Sequence, residues 1–140
     1  MWFSRAMALP DSTVQALGLR IGMVVQELGW DTDVDEGLRE QLMDFLDDDL
    51  VEEVIEAVDA VLLWQRDDID VTDSLVDALT DLDADGIIWL AVPKIGREGH
   101  VPDSDIAEAA KTAGLALTSV VDASHDWSVR KLVRPKRARN

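Results

Sequence analysis

The chain has 140 residues, no cysteine and a formal net charge of −16. This length suits one domain with its own core, and the lack of cysteine excludes disulfides, thiol chemistry and zinc–thiolate sites. Because nucleic-acid binding depends on neutralising phosphates, the negative charge makes a nucleic-acid partner unlikely. No apolar run approaches the ~20 residues that span a bilayer, and the start of the chain lacks signal-peptide features, so we expect a cytoplasmic protein that does not bind membranes.

The charge is unevenly distributed along the chain. Between Asp31 and Asp85 there are 21 acidic residues and two basic ones, Arg39 and Arg66. From Trp127 to the end of the chain there are six basic residues and no acidic one. These basic residues could bind RNA or an acidic partner, or fold back onto the acidic half, which is the interpretation we favour.

The first elements are short. Residues 1–11 are predicted to be a flexible leader, followed by a helix over Ser12–Leu17, and the apolar run Met23–Leu28 predicts a strand. Asp33 and Glu36 have the spacing of a capping box.

Behind this cap, apolar residues at helical intervals predict a helix over Glu36–Phe45. Leu50–Ala57 fits a helix by spacing, although its valine and isoleucine residues favour a strand. We predict a helix there.

The centre of the chain is the most informative segment. The apolar runs Val58–Trp64 and Gly86–Pro93 flank an amphipathic helix predicted over Val71–Leu82. Parallel strands require a crossover connection and are buried on both faces, so this pattern predicts two neighbouring parallel strands.

The remaining elements complete an α/β domain. A helix is predicted over Ser104–Ala113, followed by two strands, Leu115–Val121 and Val129–Val133. Residues 12–134 are therefore predicted to form a small three-layer α/β sandwich, with a mostly parallel sheet and an antiparallel C-terminal hairpin strand. A basic tail, residues 135–140, follows the domain.

This order of elements resembles the second half of a class I methyltransferase-like Rossmann fold. Leu79–Leu90 is similar to the helix and loop that precede the fifth strand of those enzymes, and the last two strands resemble their terminal hairpin. The resemblance implies a truncated class I methyltransferase fold. Those enzymes place a glycine-rich turn after the first strand, whereas this chain has Gly29 followed by Trp30, so we expect no cofactor.

Four segments resemble one family more specifically: the bacterial, largely actinobacterial, domain-of-unknown-function 3052 family. The segments are Gly22–Asp31, Val61–Asp68, Leu75–Leu82 and Ser104–Leu115, and the resemblance extends roughly from Leu17 to Pro135. This family has no assigned activity, so the resemblance implies none for this chain.

The loop after the Gly86–Pro93 run contains the sharpest ligand-binding candidates. Ligands of open α/β sheets bind at the carboxyl ends of the strands, where Lys94, Gly96, Arg97 and His100 follow this run. Three possible cations in seven residues suggest an anionic ligand or a partner's carboxylates, with Arg66 after the neighbouring strand. The interpretation we favour is a surface network of ion pairs with nearby aspartates, which is worth little energy.

Tryptophan is unusually abundant, with five residues and no tyrosine. Trp30 follows one predicted strand and Trp64 ends another, and both are candidates for the floor of a pocket. Trp89 lies mid-strand and is predicted to be core, and Trp127 is placed in a hairpin turn.

No catalytic or metal site is predicted. The EF-hand-like spacing of Asp31, Asp33 and Asp35 fails because glycine and glutamate are misplaced. His125 and Asp126 lie beside serines, but adjacency in sequence is not triad geometry. We therefore predict a non-enzymatic binding or regulatory domain with a protein partner. The alternative is a protein that binds a small anion or nucleotide with its strand-end loops.

Overall fold

The computed structural model describes residues 9–53 and 56–135. These residues form four helices and five strands. In chain order the elements are α1 (Asp11–Leu17), β1 (Val25–Leu28), α2 (Glu36–Leu46), β2 (Val58–Trp64), α3 (Val71–Leu79), β3 (Leu82–Pro93), α4 (Asp103–Thr112), β4 (Ala116–Val121) and β5 (Trp127–Val133). In this described part of the chain, no helix has the length and apolar character needed to cross a bilayer.

The strands form one sheet in the order β1-β2-β3-β5-β4. β1, β2 and β3 are parallel, and β5 runs antiparallel to both β3 and β4. The two central apolar runs are therefore parallel neighbours, with Val61 opposite Ile88. This arrangement confirms the predicted α/β fold with its antiparallel C-terminal hairpin.

Helices cover both faces of the sheet. Successive strand residues point to opposite faces, so Leu62 and Trp64 pack with α1 and α2, while Val61 and Leu63 pack with α3 and α4. Trp89 is buried on the α1–α2 face, as predicted, and its indole N–H donates to the Leu17 carbonyl at 2.8 Å.

The helix predicted over Leu50–Ala57 is wrong for the residues described there, and residues 54 and 55 lie outside them. Val51 instead forms a parallel bridge to Gln26 on the outer edge of β1. Its N–H donates to the Val25 carbonyl at 2.9 Å, and its carbonyl accepts from the Glu27 N–H at 2.7 Å. Backbone pairing to an otherwise open strand edge outweighs helical spacing here.

The predicted capping box is also wrong. Asp35, two residues later, is the N-cap of α2, and its carboxylate accepts from the Leu38 N–H at 2.9 Å. Asp33 is instead engaged by Arg66, so a tertiary contact decides which aspartate caps the helix.

Two element boundaries differ from prediction. α3 ends at Leu79, and β3 begins at Leu82, which was predicted to be the last residue of the helix. Trp127 is the first residue of β5 and is buried, so it does not lie in the predicted hairpin turn.

The described end of the chain lies against the acidic half. Arg134 donates from Nη1 to the carbonyl oxygens of Asp83, at 2.7 Å, and Ala84, at 3.3 Å. Residues 136–140 of the predicted basic tail, and residues 1–8 of the predicted leader, lie outside the described residues.

Candidate functional site

The carboxyl ends of β1, β2 and β3 meet at one edge of the sheet, where open α/β folds bind ligands. The residues that follow these strands contact one another closely. They form two networks, one centred on Glu27 and one on Arg66.

Glu27 is a buried acid within β1. Its side chain is 4% exposed. Arg39 of α2 donates to both carboxylate oxygens, from Nε at 2.6 Å and from Nη2 at 2.7 Å. The Trp64 indole N–H donates to the same carboxylate at 2.9 Å. A paired buried charge of this kind fixes the position of α2 against the sheet.

Arg39 continues this network to the surface. Its Nη1 donates to Glu36 at 2.8 Å. The pKa of Arg39 is raised above its usual value, mainly by the hydrogen bonds with Glu27. Trp30 is 47% exposed, and its indole N–H contacts Glu36 at 3.3 Å. Trp30 therefore lies at the rim of this network, apart from Trp64 below it.

Arg66 is the centre of the second network. Its guanidinium binds both carboxylate oxygens of Asp33 and donates from Nη1 to the carbonyl oxygens of Gly29, at 2.9 Å, and Trp64, at 3.2 Å. The pKa of Asp33 lies below its usual value, chiefly because Arg66 hydrogen-bonds its carboxylate. These contacts occupy the guanidinium of Arg66, one of the candidate residues for an anion site.

Aromatic rings close the space beside Arg66. The guanidinium lies 5.5 Å from the centre of the Trp127 ring, a distance typical of a cation–π contact. Trp127 packs edge-on against Trp64, with 4.8 Å between ring centres. Trp64 and Arg66 are therefore brought together, but inside a packed cluster.

Gly29 lies where the end of β1 comes very close to the neighbouring strand. Its φ is +79°, and a β-carbon added to it would lie 2.3 Å from the Trp64 carbonyl oxygen. In dinucleotide-binding folds, glycine at this point lets the backbone approach a pyrophosphate. Here the close approach is made to the neighbouring strand.

The loop after β3 carries the other predicted cations, and each contacts a group of the protein. Lys94 lies 3.6 Å from Asp122, and Arg97 lies 2.9 Å from Asp126. His100 Nδ1 lies 2.8 Å from the Pro93 carbonyl, so this nitrogen is the donor. Gly96 has a positive φ of +86° and open space around it.

The histidine and serines before β5 do not form a triad. His125 Nδ1 contacts Asp126 at 2.8 Å. The Ser124 hydroxyl accepts from the Trp127 N–H, and the Ser128 hydroxyl accepts from Arg130. Among residues 9–53 and 56–135, no group of three or more His, Asp or Glu residues is arranged to hold a metal ion.

Sequence reasoning missed Glu27, Asp33 and Arg39 as site residues. Glu27 carried a signal, since an acid inside an apolar strand is seldom buried without a partner. Arg39 and Arg66 carried a second signal, because they are the two basic residues between Asp31 and Asp85. Their separate pairing with Glu27 and Asp33 depends on contacts distant in sequence.

An acidic groove lies between α2 and the residues that follow β4. Its volume is about 1160 Å³. Apolar residues from α2 and from two facing segments form its floor, namely Leu9, Leu38, Phe45 and Ala123. Five exposed carboxylates surround this floor: Glu40, Asp44, Asp47, Asp48 and Asp49. None of the five forms an ion pair with another described residue.

A second cavity lies on the opposite face of the sheet. Its volume is about 570 Å³, and it lies between the start of α3 and α4. Its lining includes five carboxylates: Asp67, Asp68, Asp70, Asp105 and Glu108.

Comparisons with known proteins assign the family. The sequence model of a family described as "Protein of unknown function (DUF3052)" matches residues 14–136. The chain belongs to the DUF3052 family. Uncharacterized protein Rv2239c of Mycobacterium tuberculosis H37Rv is 45% identical to this DUF3052 protein over 122 residues, which are 86% of this chain and 77% of the relative. Uncharacterized protein Mb2263c of Mycobacterium bovis matches this chain with the same identity and the same coverage.

Solved structures similar to this DUF3052 protein include methyltransferases. A TehB-like SAM-dependent methyltransferase from Corynebacterium glutamicum has a TM-score of 0.55 at 15% identity, with 89% of this chain and 86% of that chain covered. The O-methyltransferase NcsB1 of neocarzinostatin biosynthesis, solved with S-adenosylmethionine, has a TM-score of 0.63 at 14% identity, with 89% and 53% covered. At these identities the likeness establishes the fold, a methyltransferase-like Rossmann fold, and not the activity.

The Asp33–Arg66 pair gives this DUF3052 protein a testable pH dependence. Because the folded-state pKa of Asp33 is lowered, the pair stabilises the fold above the unfolded pKa of about 3.9. This contribution is lost as the pH falls through the folded value. Arg66→Gln should therefore raise the Asp33 pKa towards its usual value, measured by NMR titration of the carboxyl carbon. Arg97→Gln is the matched control and should leave the Asp33 titration unchanged; an unchanged titration in Arg66→Gln would contradict the assignment.

Proposed function

We propose that this protein is a non-catalytic binding domain that holds a basic segment of a partner protein in the acidic groove beside α2. The observation that supports this most strongly is the set of five exposed carboxylates around an apolar floor. These carboxylates repel one another without compensation from another described residue.

The groove has the chemistry of a surface for an amphipathic segment. Leu9 and Phe45, both partly buried, offer apolar contacts to one side of such a segment, as in helix-in-groove recognition. Lysine or arginine on its other side would neutralise Glu40 and Asp44. Complementary charge of this kind speeds association and excludes acidic partners.

The alternative, a small anion or nucleotide at the strand ends, has less support. Arg66 and Arg97 are paired with carboxylates. In dinucleotide-binding folds the crevice forms where strands flank the first strand on both sides. Here the outer side of β1 carries only the isolated Val51 bridge among the described residues.

Fluorescence anisotropy with a labelled peptide of leucine and lysine at helical spacing tests the proposal. The groove variant combines Glu40→Gln, Asp44→Asn and Asp48→Asn. The matched control combines Asp68→Asn, Asp105→Asn and Glu108→Gln, which removes the same charge from the second cavity. We expect the groove variant to bind at least about tenfold more weakly than the control, a difference of about 1.4 kcal/mol.

Two outcomes would contradict the proposal. An equal loss in both variants would mean that net charge alone attracts the peptide. No binding by the wild-type protein at low ionic strength, where charge attraction is strongest, would remove the groove as a basic-segment site. Circular dichroism of both variants checks that they remain folded.

A further inference from the structure

The outer edge of β4 is open. β4 is the last strand of the sheet, and among the described residues only β5 pairs with it. An unpaired strand edge presents free N–H and carbonyl groups, which readily pair with another strand. The opposite edge of the sheet differs, because Val51 bridges β1 there.

β4 lacks the charged residues and prolines that usually protect an open edge. Its sequence is Ala-Leu-Thr-Ser-Val-Val, with no lysine, acidic residue or proline, in a chain that is 30% charged. Natural edge strands commonly use charges or proline to prevent pairing with other chains. β4 has neither charged residues nor proline, which is expected of an edge that pairs with another strand.

Two apolar side chains stand exposed on one face of this edge. Leu117 is 41% exposed and Val120 is 55% exposed. Leu117 lies opposite Leu132 and Val120 opposite Arg130, and these β5 residues are two positions apart, hence on one face. In a regular strand, residues three positions apart face opposite sides of the sheet. The register shift between Leu117 and Ser119 is what allows Leu117 and Val120 to share one face.

The charge distribution indicates what can pair with this edge. β4 and β5 contain no acidic residue, and β5 and the residue after it carry Arg130, Lys131 and Arg134. The segment that bridges the β1 edge is flanked by Asp47–Asp49 and by Glu52 and Glu53. Contact through β1 would therefore place acidic segments of two copies against each other, whereas contact through β4 places strands without a carboxylate side by side.

We propose that two copies of this protein pair antiparallel through β4, about a twofold axis, to form one continuous ten-stranded sheet. A twofold contact uses the same surface on both copies, so Leu117 and Val120 of each copy lie beside those of the other. The pairing stands or falls independently of the proposed function.

Sedimentation equilibrium over a wide range of concentrations tests the pairing. We expect the wild-type mass to rise from 15.5 kDa towards twice that value. Val120→Lys should raise the dimer dissociation constant at least about tenfold, by analogy with the lysines that protect natural edges. Added salt should strengthen the dimer, because screening weakens repulsion between two anionic copies.

Val76→Lys is the matched control. Val76 lies on α3 and is 53% exposed, close to the value for Val120, yet it is not on a strand edge. A monomer at every concentration, or equal weakening by both substitutions, would overturn the proposal. If Val120→Lys does not fold, Leu117→Lys replaces it, and slowed hydrogen exchange of β4 amides at high wild-type concentration gives a second readout.

Discussion

Replacing Glu27 by alanine is expected to lower the free energy of unfolding by about 3–5 kcal/mol, the range for removing one partner of a buried ion pair. Arg39 would keep its surface contact with Glu36, so we expect a value near the lower end. Trp64 would lose the acceptor for its indole N–H, which adds to the loss. Urea unfolding followed by circular dichroism measures the change.

Glu36→Gln is the matched control for this prediction. Glu36 contacts the same arginine, but its side chain is 56% exposed, and exposed pairs contribute about 0–1 kcal/mol. We therefore expect less than about 1 kcal/mol from Glu36→Gln. If Glu27→Ala were equally mild, the buried network would not anchor α2 to the sheet as described.

Gly29→Ala is expected to destabilise the fold by about 3 kcal/mol or more. A left-handed backbone conformation costs a residue with a β-carbon roughly 1–2 kcal/mol, and the clash with the rigid Trp64 backbone adds an overpacking term of about 1–3 kcal/mol. Thermal and urea unfolding measure the sum.

Gly22→Ala separates these two contributions. Gly22 has a similar φ of +87° but no atom within 4 Å of an added β-carbon. It should show only the backbone strain, about 1–2 kcal/mol. Equal losses at both glycines would mean that β1 and β2 separate easily at their carboxyl ends, and that a ligand could enter there.

The layered fold could be predicted because its signals are local. The runs Val58–Trp64 and Gly86–Pro93 are apolar throughout, which is typical of strands buried on both faces. The helix between them has one apolar side, and Asp103 follows the loop at the start of the last helix. Each of these features depends on neighbours in sequence, and the structure has them in the predicted order.

The strand-end contacts could not be predicted because they join distant residues. By sequence, the capping-box spacing to Glu36 favours Asp33 as the N-cap. Only the position of Arg66 in the fold selects Asp35 for the helix and Asp33 for the ion pair. In the same way, spacing indicates a helix around Val51, while the open edge of β1 selects an extended bridge.

The groove was not predicted; the sequence indicates only the excess of acidic residues around it. Nothing in the order of Asp47, Asp48 and Asp49 indicates that Leu9 and Ala123 lie across from α2. The acidic half of the chain is thus predictable, whereas its apolar floor depends on tertiary packing. The fold is methyltransferase-like, and at its strand ends Trp64, Arg66 and Trp127 pack against one another.

Amide NMR spectra of the isotopically labelled protein, recorded during titration with the leucine–lysine peptide, test this account most directly. We predict shifts concentrated in α2, in residues 47–49 and in residues 123–125, with little change after β2 and β3. Shifts concentrated at Trp30, Arg66 and the Lys94–His100 loop would contradict it, because they would place binding at the strand ends.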